Sequence, residues 1–314
     1  MRPAFSVIFL TTLIGAGQGL FLALYCTEIA GALRLIPMPD GRTFFAAGSL
    51  ISLVLSGLGL FASFLHLGHP ERAWRAAAMW RTSWLSREVI VLPAFMGAVF
   101  VYAVGHYAGS GVVTLVAGAV ATVLCVALFA CTGMIYACIK FLLEWASPLT
   151  VVNYLVLGCA SGFTLAAAFA AFTADNLLKV YTVGALGFTL LGLATRTASL
   201  VRNSRIKPKS TLQTAIGVHH PRIRQKSQGF MGGSFNTREF FHGRSRAFLR
   251  SIKWLFLTLA FALPLVLLAL GIANPSAALL CAAFIVQFAG LIAERWFFFA
   301  QANHPQNLYY QAIS

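Results

Sequence analysis

Apolar residues run along this chain in eight blocks, each long enough to cross about 30 Å of hydrocarbon as a helix. The blocks fall near residues 4–30, 44–67, 88–108, 112–139, 149–173, 178–201, 251–272 and 276–299. None alternates polar and apolar positions as a barrel strand does, and inside lipid every backbone group needs an internal partner, so helices are the elements this pattern predicts. Pro93 and Pro264 fall inside blocks and are expected to kink their helices. Lys140 and Glu144 stand four apart, as on a fourth helix that has run past the surface into water. Small residues pattern the first block at Gly15, Ala16, Gly17 and Gly19, and the sixth at Gly184, Gly187 and Gly192. These predict close helix–helix approach. The first block exceeds the usual 7–15-residue core of a secretory signal, so it reads as a retained span. The fold class expected is an all-α, polytopic integral membrane protein with eight transmembrane helices.

Composition agrees and adds an orientation. The 314 residues are 59% hydrophobic and 10% charged, with mean hydropathy +0.80, far from the quarter or so of charged residues in soluble domains. Eight spans put 20 of the 23 lysines and arginines on one face and leave Arg34, Arg42 and Lys179 on the other. The positive-inside rule makes the rich face cytoplasmic, with both termini on it, in the inner membrane. The net charge of +15 therefore reads as topology and docking surface rather than nucleic-acid binding. Thirteen of the basic residues, from Arg196 to Lys253, crowd around one connection at 203–250. That connection mixes aromatic with basic residues and is too short for an independent domain, so it reads as a cytoplasmic docking loop. Its Gly229–Ser234 stretch lacks the Lys-Ser/Thr ending and flanking strand of a phosphate loop. The six cysteines lie in or beside apolar blocks without a CxxC pair, which argues against a zinc site, an iron–sulfur cluster or a disulfide framework in this chain.

Candidate chemistry concentrates between residues 64 and 95. One block ends at His66, another begins at Glu88, and the loop between them carries Arg72, Arg75, Arg81 and Arg87 with Trp74, Trp80 and Trp84. Either ionisable group alone has an ordinary reading: His66 as an interfacial hydrogen-bonding residue, Glu88 as a charge favoured at a helix N-terminus beside Arg87. Topology brings both to one surface, and ionisable groups at the hydrocarbon edge are costly. A b-type haem would need a facing histidine at similar depth. His106 lies at the opposite face and His69 is too near His66 in sequence, so no haem is expected. A quinone suits the pair: its reduction takes two electrons and two protons, an imidazole can donate to a carbonyl, and a carboxylate can pass protons. Trp74 and Trp84, with Arg87, are candidates to wall the headgroup; an interfacial aromatic belt is the plainer role for the tryptophans.

The His66-Leu67-Gly68-x-Pro70 turn, the step from His66 to Glu88 within Leu85-Ser86-x-Glu88, the eight-span pattern, and Arg295 following Ala289-Gly290 resemble the anchor-subunit family of dimethyl sulfoxide reductases. The resemblance implies a menaquinol-binding anchor that carries no haem or cluster. Its partners would be an iron–sulfur subunit and a molybdopterin catalytic subunit, and the family's quinol-linked His and Glu map onto His66 and Glu88. The cytoplasmic charge bias, the basic loop and the ending Glu294–Pro305 look more like the branch that oxidises sulfite in the cytoplasm and reduces quinone.

The expected function is therefore a quinone-reactive anchor, not itself the molybdenum catalyst, that passes electrons from sulfite oxidation to ubiquinone or menaquinone. His66 would bind quinone and Glu88 would relay protons. Arg72, Arg75, Arg81, His220, Arg222 and Arg238 would dock the cluster subunit. The alternatives are a menaquinol-oxidising reductase anchor, an anchor without a redox site and, from another class, a secondary transporter. The transporter reading suffers from the absence of an evident repeat and from charges that gather at the surfaces.

Overall fold

The structure, a computed structural model, describes residues 1–38, 43–65, 67–226 and 239–309. Among them there is no strand, and eight helices are long and apolar enough to cross a membrane. In chain order they are α1 (Phe5–Ala32), α2 (Thr43–Phe64), α3 (Trp84–Ala108), α4 (Gly111–Ala137), α5 (Pro148–Thr173), α6 (Asp175–Ser204), α7 (Arg246–Ala273) and α8 (Ala277–Ala300). Several ends follow from local chemistry. Ser83 caps α3 by accepting from the Ser86 amide, and Gly109 closes the same helix in the left-handed conformation, φ 73°. Ser147 caps α5, whose first residue is Pro148.

Helices α1 and α5 form the buried centre, and the other six surround them with a larger share of their faces outward. Their crossing is set by glycine. A Cβ at Gly162 would stand 2.0 Å from the Gly19 carbonyl carbon, and one at Gly19 would stand 2.1 Å from the Gly158 oxygen. Lipid tails give apolar side chains no reason to prefer each other, so such backbone contact and interhelical hydrogen bonds must hold the bundle. Ser52 on α2 donates to the Gly17 carbonyl at 2.7 Å, and Gln18 donates to the Cys125 carbonyl of α4 at 3.0 Å. Gln287 on α8 donates to Thr189 on α6 at 3.0 Å.

Three expectations need correcting. Helix α4 ends at Ala137, and Lys140 and Glu144 lie in the turns before Ser147, so they do not share a helix face. Gly187 meets nothing within 4 Å; of the three glycines in α6, Gly184 faces the Phe163 ring and Gly192 the Leu157 side chain. Helix α7 begins at Arg246, earlier than its apolar block, because its first turns are amphipathic and carry Arg246, Arg250 and Lys253. Before Pro264 the helix widens into a π turn, Thr258–Ala262, and Gly290 of α8 packs directly on its backbone.

Gly162→Val forces α1 and α5 apart, and overpacking of this kind costs about 1–3 kcal/mol. We expect a lower midpoint in thermal unfolding of the detergent-solubilised protein, with Gly187→Ala as the neutral control; equal midpoints for the two variants would contradict the crossing.

Candidate functional site

Helix α3 starts one turn earlier than the apolar block does, so Glu88 does not open the helix. It lies about 6 Å further along the axis than Trp84, by helix rise. It shares an inward face with Leu92, Phe95, Val99 and Tyr102, all buried, at spacings of three and four residues. Glu88 is 9% exposed, and its carboxylate accepts a hydrogen bond from the Thr132 hydroxyl of α4. A buried carboxyl group, with one hydroxyl donor among the described residues, is a group that can take and give up a proton.

Glu88 faces a small cavity inside the bundle, walled by apolar side chains such as Leu10, Ile14, Phe129 and Leu157 with a set of polar groups among them. Gln18 and Thr12 line it from α1, Thr132 from α4, Tyr154 and Ser161 from α5, and Arg295 from α8. Its volume is about 20 Å³. One water needs about 10–15 Å³ by the same measure, so the space admits water and excludes an aromatic ring. Of these residues the sequence pattern singled out Glu88 and, through the resemblance, Arg295. Gln18, Thr132 and Tyr154 carried no signal, because a lone amide or hydroxyl in an apolar run is common.

The residues expected to wall a headgroup do not line this cavity. Arg87 turns back over its own loop, donating to the Trp80 carbonyl at 2.9 Å and the Arg81 carbonyl at 2.8 Å, and its guanidinium stacks on Trp84 at 4.2 Å. Trp74 is 71% exposed beneath Arg75. The intervening loop is a 3-10 helix, Pro70–Ala77, and it holds Arg72, Arg75 and the nearby Arg81 exposed at the surface where α2 ends and α3 begins. His66 lies outside the described residues. Leu65 and Leu67 on either side of it are exposed at the end of α2.

The expectation that charges gather at the surfaces is wrong. Arg196, counted with the loop, is 2% exposed inside α6, and its Nε lies 2.6 Å from Glu294 of α8. Arg295 approaches the other Glu294 oxygen at 3.3 Å and lies 3.8 Å over the Tyr154 ring. Across the bundle, His106 and Glu28 meet at 3.3 Å near the far ends of α3 and α1. Each charge is tolerated in the bundle because a partner from another element reaches it. The Glu294-Arg295 pair inside an otherwise apolar block was the sequence signal for this network.

At the end where Glu88 lies, the loop after α6 is tied to other parts of the chain. Arg202 donates to the Leu143 and Ala146 carbonyls, Tyr309 donates to the Ala215 carbonyl at 2.7 Å, and Asn307 donates to the Phe240 carbonyl at 3.0 Å. His304 stacks on Phe240 at 3.7 Å, and burial lowers its pKa from the ordinary imidazole value. His220 and Arg222 are exposed and joined by a local turn in which the Arg222 amide meets the His220 ring at 3.0 Å. Arg238 and the Gly229–Ser234 stretch lie outside the described residues.

This geometry, with an all-helical bundle, buried polar centre and basic end, agrees with what the chain resembles among known proteins. It is 54% identical, across the full length of both chains, to a sulfite dehydrogenase subunit of Allochromatium vinosum. The model of the family described as "DMSO reductase anchor subunit (DmsC)" matches residues 1–310. The secondary-transporter alternative loses its basis, and the chain belongs to the DMSO reductase anchor subunit family, as a membrane-embedded subunit of a multi-subunit oxidoreductase.

Proposed function

We propose that this chain is the quinone-reducing anchor of a sulfite-oxidising complex in the cytoplasmic membrane. The carrying observation is Glu88: a buried carboxyl group bonded to Thr132, at a water-sized cavity, one helical turn from the basic end of the bundle. The full-length similarity to a sulfite dehydrogenase subunit supports the donor. In the partner subunits, with molybdopterin and iron–sulfur clusters, sulfite and water become sulfate, two protons and two electrons. The electrons pass to quinone, which takes up two protons and becomes quinol.

The donor set fits a quinone's chemistry, but the Glu88 cavity is too small for its ring. The ring therefore docks beside the cavity, toward the end of α2, with His66 donating to one carbonyl. Glu88 supplies protons from behind it. Trp84, pinned by Arg87, borders the approach from the interface. Exposed Arg72, Arg75, Arg81, His220 and Arg222, with Arg238, favour an acidic face on the cluster subunit. The description of the family favours the opposite direction, menaquinol oxidation for a sulfoxide-type acceptor, as the second reading.

Glu88→Gln keeps the shape and removes the proton. We expect sulfite-driven quinone reduction in membranes to fall about 100-fold with the complex assembled; unchanged turnover removes Glu88 from the mechanism. A quinone-site inhibitor titrated against His66→Leu is expected to bind more weakly, and equal titrations would exclude that histidine.

Reversing the three loop arginines to glutamate is expected to release the cluster subunit from membranes, the more readily as salt rises. Retention at all salt concentrations would place the docking surface elsewhere. A fluorescent reporter fused after Ser314 is expected to fold and fluoresce, and a periplasmic phosphatase at the same point to be inactive. The reverse pattern would invert the topology and favour the reductase reading.

A further inference from the structure

Between the Glu88 cavity and the basic end lies a second polar cavity, of about 10 Å³. Glu294, Arg196, Asn153 and Ser199 line its inner part, and Glu144 and Arg202 belong to its outer part near the surface turns. It too is of the size of a water molecule rather than of an organic ligand. The two cavities share one residue, Arg295.

Two residues that line the second cavity carry buried polar atoms without a direct hydrogen-bond partner among the described residues: the Asn153 carbonyl oxygen and one terminal nitrogen of Arg196. Buried groups of this kind are served by ordered water. Glu294 is 1% exposed; Glu88 lines the first cavity, and Glu294 and Glu144 line the second. In the other direction the way is closed. Phe21, Phe95 and Tyr102 pack edge to face at ring separations of 5.5 and 5.7 Å, between Gln18 and the Glu28–His106 pair.

We propose that Glu294 is the intermediate station of a proton relay that leads from the basic face of the protein to Glu88, by way of two water-sized cavities that both have Arg295 in their lining. The proposal rests on the quinone reading of Glu88. Charge balance supplies the coupling. The groups facing Glu294 are Arg196 from α6, Arg295 from its own helix and Tyr154 from α5, with Glu144 and Arg202 at the mouth. Two guanidinium groups and two carboxylates are neutral together when Glu88 is ionised, and carry one positive charge when Glu88 holds a proton.

When Glu88 gives its proton to the reduced ring, it is left as a carboxylate that must be protonated again. Glu294 takes up the next proton from water at the outer cavity, which is resupplied from the basic face. That proton passes on to Glu88, and Glu294 is ionised again beside Arg196 and Arg295. Two such cycles deliver the two protons that each quinone takes up with its two electrons.

The test uses membranes that hold the whole complex, with sulfite as donor and a short-chain quinone as acceptor. Glu294→Gln is expected to slow quinone reduction at least about tenfold and to enlarge the solvent deuterium isotope effect. Binding of a quinone-site inhibitor should stay within about twofold of the unmodified complex, because the ring's own contacts are untouched. Glu294→Asp is expected to recover part of the rate, since it keeps the carboxylate. Asn153→Leu, which fills the outer cavity and leaves the ion pairs intact, is expected to slow turnover in the same way. This second variant carries the test should Glu294→Gln fail to assemble.

Unmodified turnover and isotope effect in an assembled Glu294→Gln complex, or in Asn153→Leu, would overturn the relay while leaving the quinone site standing. A complex in which inhibitor binding and turnover ignore both His66→Leu and Glu88→Gln would instead overturn the quinone reading itself.

Discussion

The close crossing of α1 on α5 is the contact on which the rest of the molecule depends. Where Gly19 meets Gly158 and Gly162, backbone touches backbone, and no side chain is available to bridge a wider gap. Just to the side of that crossing, the same two helices present Thr12 and Gln18 from α1, and Tyr154 and Ser161 from α5, to a common cavity. Gly15 and Gly158 of the crossing line that cavity as well. In a lipid environment this packing substitutes for the hydrophobic drive that would hold a soluble bundle together.

The buried ions impose the second constraint. Arg196 on α6 and Glu294 with Arg295 on α8 are buried and face one another, so their pairing commits each helix to a fixed rotation and depth. Removing one partner would leave a bare charge in a low-dielectric interior, which costs about 3–5 kcal/mol. Arg295 extends the network to the Tyr154 ring and so back to the helix that forms half of the central crossing. The halves of the bundle are thereby coupled by electrostatics as well as by packing. The Glu28–His106 pair does the same work near the opposite end, tying α1 to α3.

The arrangement separates the tasks of a membrane anchor. Exposed arginines and tryptophans occupy the connection between α2 and α3. Titratable groups sit deeper, behind helix walls, in spaces that admit water but no ring.

Much of this was legible in the chain. Runs of apolar residues determine that eight helices cross a bilayer, since length and composition alone decide partition into lipid. The imbalance of lysine and arginine between loops determines the expected orientation, and the motif around His66 and Glu88 marks the family. Tertiary structure decided what the pattern could not. Periodicity in an almost uniformly apolar helix does not say which face turns inward, so neither the burial of Glu88 against Thr132 nor the company of Gln18 and Tyr154 could be read from it. Arg196 read as part of a basic loop because sequence shows a charge but not its partner. Only the packing of α6 on α8, which brings Glu294 within 2.6 Å, makes that arginine an interior residue.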